Sequence, residues 1–170
     1  VEATHRDVVT TAFENLGAAQ QVQRAVLALI EPAEMGALGR CLAEVLPGIL
    51  GVECLRLGVE VDVDGRTVLP LGRGAPAVVP LRPGATALYV GPGSGIALRA
   101  VGGAASDPFA FAAAGFGSEA VIPLEAGPRV GPALLVLGAA ARERFHRGQG
   151  TDLLAFLGEA AARVLRRMAG

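Results

Sequence analysis

The chain contains no lysine, no tryptophan and a single tyrosine, with only two residues each of cysteine, histidine and methionine among its 170. Each scarcity excludes something. Without lysine, all fifteen basic side chains are arginines; they are scattered, and at a net charge of −1 they form no basic footprint for nucleic acid. His5, His146, Cys41 and Cys54 fall in different stretches, so they do not supply the roughly three or four convergent ligands that a metal site wants. The same four residues leave no recoverable Ser-His-Asp arrangement and no nucleophile–base pair, so the chain is expected not to be an enzyme. The two cysteines sit in apolar settings and read as reduced, buried thiols of a cytoplasmic protein. No apolar run approaches the roughly 18 residues that suggest a membrane span. No signal peptide is visible, and from a first residue of Val the chain is expected to be a fragment whose N-terminus lies upstream. Aromatic residues make up 4% of a chain that is 52% apolar, which implies a core packed from small side chains.

What is present is a strong pattern in the last third. Ser118–Leu124 and Ala133–Ala139 are short apolar runs bounded by Gly and Pro, the signature of buried strands. The eight residues between them, 125–132, carry two Gly and two Pro and suit a hairpin. Leu153, Leu154, Leu157, Ala161, Val164, Leu165 and Met168 then come at helical spacing. Thr151 or Asp152 is the expected cap of this helix, and Arg163, Arg166 and Arg167 fall near its favourable end for cations.

The N-terminal stretch from about Asp7 to Ile30 is helical and carries two apolar stripes. One is a heptad seam of Val9, Phe13, Leu16, Gln20, Gln23, Leu27 and Ile30; the other contains Ala12, Ala19, Val22, Val26 and Leu29. Two stripes imply two partners: the domain's own sheet and a second copy of the helix. A second helix starts at Pro32 and is expected to close at Pro47-Gly48. From Glu53 to Val61 the chain alternates, with Leu55, Leu57, Val59 and Val61 on one face and Cys54, Arg56, Gly58 and Glu60 on the other. Asp64-Gly65 predicts a hairpin returning through Thr67–Leu69. The Gly- and Pro-rich segment from 72 to 117 holds a short helix or edge strand at Thr86–Val90, a strand at Ile96–Val101, and a mobile cover anchored by Phe109, Phe111 and Phe116.

The segments Ser118-Glu-Ala, Leu135-Val-Leu-Gly138 and Phe145-His-Arg-Gly-Gln-Gly-Thr151 resemble the signature of a bacterial GAF-like family, domain-of-unknown-function family 484. The run Asn15–Leu29 is similar to that family's first helix, so the likeness extends from about Asn15 to Leu165. It implies an α+β fold: a central antiparallel sheet of five or six strands, with N-terminal and C-terminal helices on one face and a loop-covered pocket on the other. The family often has a basic residue where this chain has Gly117, so no charge contact is carried over from it. The chain is expected to divide into an N-terminal dimerisation and signalling helix, 1–30, and a GAF-like domain, 31–170. Departures from relatives are informative too. The chain lacks the Lys and Asp-Glu pair of cyclic-nucleotide GAF motifs, and it lacks an exposed cysteine for bilin attachment or sulfoxide reduction. No cofactor is expected.

The remaining polar residues define a candidate ligand site: Arg56, Glu60, Tyr89, Arg99, Ser118 and Glu119. Arginine's planar fork suits a carboxylate or phosphate, so a small anionic molecule is the expected ligand. The competing reading is an internal Arg–Glu cluster in a homodimeric interaction module with no ligand at all.

Overall fold

Strand pairing gives the framework. In the computed structural model, which describes residues 2–71, 77–93, 95–102 and 107–170 and the side chains of the first helix from Leu16 onward, five strands form one sheet. They are β1 (Cys54–Glu60), β2 (Val78–Leu81), β3 (Ala97–Ala100), β4 (Ser118–Leu124) and β5 (Ala133–Ala139), in the spatial order β2-β1-β5-β4-β3. The β4–β5 pair is the expected hairpin, in register from Ser118 opposite Ala139 to Leu124 opposite Ala133. β5 continues antiparallel onto β1, and β3 runs antiparallel to β4.

The sheet is mixed, not wholly antiparallel as expected, because β2 lies parallel to β1. The departure begins after the expected turn. Asp62 Oδ1 accepts from the backbone N–H of Asp64 and Arg66 at 2.9 and 2.7 Å, and Gly65 turns with φ 76°. The turn forms, but Thr67–Leu69 does not return along β1; Leu69 is instead buried in the helix-side core. The chain thereby reaches the start of β2 by a crossover long enough to permit parallel pairing.

The helices are α1 (Glu2–Ile30), α2 (Met35–Arg40), α3 (Leu46–Leu50), α4 (Ala85–Val90) and α5 (Asp152–Ala169). Pro47-Gly48 does not end the second helical stretch as expected. A π-helical turn over Cys41–Val45 joins α2 to α3, with the Leu46 N–H reaching back to the Cys41 carbonyl. Pro47 has no N–H to give, and its ring crowds the preceding turn, so the wider turn just before it is a physical accommodation. The stop comes at Gly51, in the left-handed conformation at φ 65°. α5 begins where expected, with Thr151 in the cap position but without a side-chain capping bond. Side chains close the turn before it: Gln149 accepts from the His146 N–H and donates to the Arg144 carbonyl, and His146 Nδ1 accepts from the Gly148 N–H.

α1, α2, α3 and α5 cover one face of the sheet. Val22, Ala25 and Leu29 of α1 join Leu38, Leu42, Leu55, Leu135 and Leu165 in one core, so the second half of α1 shares its packing with residues 31–170. Arg167 ties α5 to the end of α1 by donating to the carbonyls of Ile30 and Pro32. The heptad seam is not in that core: Leu16 is 56% and Leu27 63% exposed, and Gln20, Gln23 and Ile30 are exposed as well. Val9 and Phe13 of the seam lie outside the described side chains. No helix among the described residues is long and apolar enough to cross a membrane.

Candidate functional site

The second face of the sheet has a different cover. Phe109 and Phe111 are buried there with Cys54, Leu81, Val121, Leu134 and Val136, and Phe116 packs against them. The rings of Tyr89, Phe109, Phe111 and Phe116 form a chain, with successive centroids 5.1, 5.9 and 5.4 Å apart. Two strand glycines make room for it. A Cβ on Gly58 would fall 2.9 Å from Phe109 Cζ, and one on Gly138 would fall 3.0 Å from the Phe111 ring. Asp107 fixes the aromatic segment by accepting from the backbone N–H of Phe111, Ala112 and Ala113.

α4 lies beside this layer, held at both ends by charges from the sheet. At its start, Glu60 of β1 accepts from the Gly84 N–H at 2.6 Å, from the Thr86 N–H at 3.1 Å, and from the Thr86 hydroxyl. At its end, Arg99 of β3 donates to the carbonyl of Val90 at 3.1 Å and to that of Tyr89 at 2.5 Å. An anion at a helix start and a cation at its end both complement the backbone dipoles. A six-residue helix has little intrinsic stability, so these clamps and the burial of Thr86 and Val90 set where it sits.

Arg99, Glu119 and Tyr89 form the polar heart of the region. Arg99 and Glu119 face each other across β3 and β4, with Nε 2.7 Å from Oε2. The other Glu119 oxygen accepts from the Tyr89 hydroxyl at 2.5 Å. Glu119 is only 3% exposed, whereas the Arg99 side chain is 32% exposed and stacks over the Tyr89 ring at 5.1 Å. Burial, reinforced by the bond to the Glu119 carboxylate, holds the Tyr89 phenol far above its ordinary range, so it stays neutral and donates.

This triad lines a cleft of about 1080 Å³ on the second face, bordered by α4 and by Val101, Pro108 and Ala112. A second cleft of about 540 Å³, mostly apolar, lies on the far side of α4 against the β4–β5 hairpin. α4 thus stands as a partition between two clefts, with Gly91 bordering both.

Of the six residues singled out from the sequence, three converge in the larger cleft: Tyr89, Arg99 and Glu119. Glu60 is on the expected face but serves as the cap of α4. Arg56 also faces away from the helices, yet it donates to the carbonyl of its own neighbour Leu55 and does not border the cleft. Ser118 points to the opposite face: its hydroxyl donates to Ala141 and accepts from the Phe145 N–H on the helix side. Strand alternation explains this, since neighbouring residues 118 and 119 of a strand cannot face the same way. Sequence reasoning missed Arg82 at the cleft rim, the anchoring role of Asp107, and the two glycines under the phenyl rings. A Gly in the middle of each of two otherwise apolar strands was the signal for the last of these.

Both cysteines are buried, as their apolar settings implied, and burial raises both thiols above their ordinary value. No group of three or more His, Cys, Asp or Glu among the described residues could hold a metal ion. No protein-family model matches the chain, and no curated protein matches it.

Proposed function

We propose that the chain is a GAF-like regulatory domain, related to family 484, that works by binding a small molecule in the cleft beside α4 and not by turning one over. The observation that carries this reading is the cleft itself: about 1080 Å³ on the aromatic face of the sheet, partly apolar, with Tyr89, Arg99 and Glu119 converging on it. The two high-pKa buried thiols support a binding role over thiol chemistry, and they fit a reducing, cytoplasmic setting. Occupancy is passed on through α1, whose exposed seam of Leu16, Leu27 and Ile30 pairs with a second copy of the chain. Mass spectrometry of material released from the purified protein tests the first part. A stoichiometric small molecule is the expected result; a protein that carries none and binds none from a metabolite library contradicts it.

One observation favours a second reading, a homodimeric interaction module with no ligand. Arg99, Glu119 and Tyr89 satisfy one another, as an internal cluster would. In both readings the α1 seam is the interface. Leu16→Glu with Leu27→Glu puts like charges into a symmetric seam at two exposed positions, and is expected to convert a dimer to a folded monomer in light scattering. A wild type that is monomeric at micromolar concentration removes the dimer from both readings.

A further inference from the structure

Resting on the reading of the larger cleft as a ligand site, we infer that its occupant is a small amphipathic anion: an acidic oxygen group carried on an apolar body. The hydrogen-bonding capacity of the cleft is unevenly spent. Four charged side chains border it among the described residues: Arg82, Arg99, Asp107 and Glu119. The two carboxylates are already engaged. Glu119 is buried and accepts from Tyr89 and Arg99, one bond on each oxygen. Asp107 accepts from the backbone N–H groups of three residues, at 2.9, 3.0 and 3.3 Å. The phenol is engaged too, as a donor to Glu119.

The donors are not used up. A guanidinium has five N–H groups. Three of those on Arg99 go to Glu119, Val90 and Tyr89, which leaves two among the described residues. Arg82 stands exposed at the rim. An incoming molecule therefore meets free charged donors, while Glu119 is buried and paired with Arg99 and the Asp107 carboxylate already holds three backbone N–H groups. Around these donors the cleft is lined by Leu81, Leu88, Val101 and Pro108, which suits an apolar body. Because Arg99 also holds the last carbonyls of α4, an anion on its guanidinium bears directly on the end of that helix.

Octanoate, octanol and octylammonium share one apolar body and differ in the head group, so they separate the choice of anion from the existence of the site. Each is titrated into the full chain and followed by backbone amide NMR. Octanoate is expected to shift amides of α4 and β3 and to bind about tenfold more tightly than octanol, the scale of a partly exposed charge-assisted hydrogen bond. Octylammonium is expected not to bind. Arg99→Gln should erase the preference for octanoate, and Arg82→Gln, an exposed change that leaves the core alone, should cut it by about threefold. Octanoate and octanol binding equally in the cleft, or a preference that survives both substitutions, overturns the anion inference and leaves the cleft reading standing. Binding of none of the three, or shifts confined to another surface, overturns both. If Arg99→Gln does not fold, the wild-type series and Arg82→Gln still decide the matter.

Discussion

On the face covered by α1, α2, α3 and α5, the sheet meets aliphatic side chains almost exclusively: Leu29, Leu42, Leu55, Leu135, Leu157 and Leu165 are all essentially inaccessible. On the other face it meets four of the chain's seven aromatic residues, an Arg–Glu pair, a six-residue helix and an irregular segment. The helix-covered face is held by long elements whose backbone hydrogen bonds are satisfied internally. The second face is held by rings set against glycines and by side chains that reach backbone groups: Glu60 and Arg99 on α4, Asp107 on the aromatic segment. Apolar packing of the first kind is non-directional and tolerant of exchange. Polar clamps of the second kind act at single atoms, and they are what shape the cleft. The difference teaches that the fold and the site are specified by separate sets of residues lying back to back on one sheet.

The largest expected effects test whether the two faces nevertheless fold together. Leu55→Ala on the helix side and Phe111→Ala on the aromatic side each remove a side chain that is 0% exposed. Each is expected to cost about 2–5 kcal/mol in urea unfolding, with Phe111→Ala toward the upper end. If the faces share one cooperative transition, both variants lower the midpoint and leave the slope unchanged. A Phe111→Ala variant with a lowered slope, or with two transitions, would break the sheet into independently stable sides.

Next in size is the polar triad. Glu119→Gln keeps the shape but leaves Arg99 without its carboxylate, and Tyr89→Phe leaves one Glu119 oxygen unpaired in a buried place. Each is expected to cost about 1–3 kcal/mol. The phenol adds a pH dependence whose sign is set by its raised pKa. The folded chain holds this proton at pH values where the unfolded chain, with an ordinary phenol near pH 10, has lost it. The contribution is therefore complete below about pH 10 and is lost as pH rises beyond it. Tyr89 is the only tyrosine, so phenolate absorbance reads this one group without ambiguity. The native chain is expected to show no phenolate at pH values where the urea-unfolded chain shows a full signal. Coincident titrations would mean that the triad is open to water.

The same division marks how far the sequence can be read. The helix-covered face is legible because aliphatic periodicity is a property of the chain alone: the alternation in β1 and the stripe of α5 name the face they bury, and the unbroken runs of β4 and β5 mark strands buried on both sides. The 125–132 hairpin is legible from its Gly and Pro content. The second face is legible only in part. Arg99 and Glu119 can be placed by alternation, but nothing local to Glu60 says that it caps a helix 24 residues later. Ser118 lies outside the site because the parity that aims Glu119 at the cleft turns its neighbour to the helix side. The parallel pairing of β2 is not legible, because Asp64-Gly65 makes a good turn in either topology. The path of the chain beyond that turn is decided by where Leu69 and Val78 find burial and pairing, which is tertiary information.

A smaller effect would sharpen the role of the clamps on α4. Glu60→Gln removes the negative charge from the helix start while keeping an acceptor for Gly84 and Thr86. The expected cost is about 0.5–1 kcal/mol of global stability. The local effect should be larger than the global one, with amide exchange accelerated in residues 84–91 and unchanged in α5. Acceleration spread evenly over both faces would mean that α4 is not a separately anchored element.

The finest test uses the two cysteines, which happen to report one face each. Cys41 lies in the helix-side core, with its Sγ 3.5 Å from the Ala28 carbonyl; Cys54 lies in the aromatic core with Phe111, beside the backbone of Gly138. Their static exposures are nearly the same, 7% and 6%, and burial raises both thiols. A difference in labelling rate between them therefore measures how often each face opens and not how open it is at rest. Long helices close the first face, whereas a six-residue helix and an irregular segment close the second. Local opening should thus be cheaper at Cys54, by about the 1.4 kcal/mol that gives a tenfold ratio of rates. Single-cysteine variants, Cys41→Ala and Cys54→Ala, separate the two signals under native conditions. Occupying the cleft with its ligand should slow Cys54 and leave Cys41 unchanged. Equal rates in the free protein would mean that the two faces open as one, and the back-to-back division of fold and site would then hold for the residues involved but not for the motions they permit.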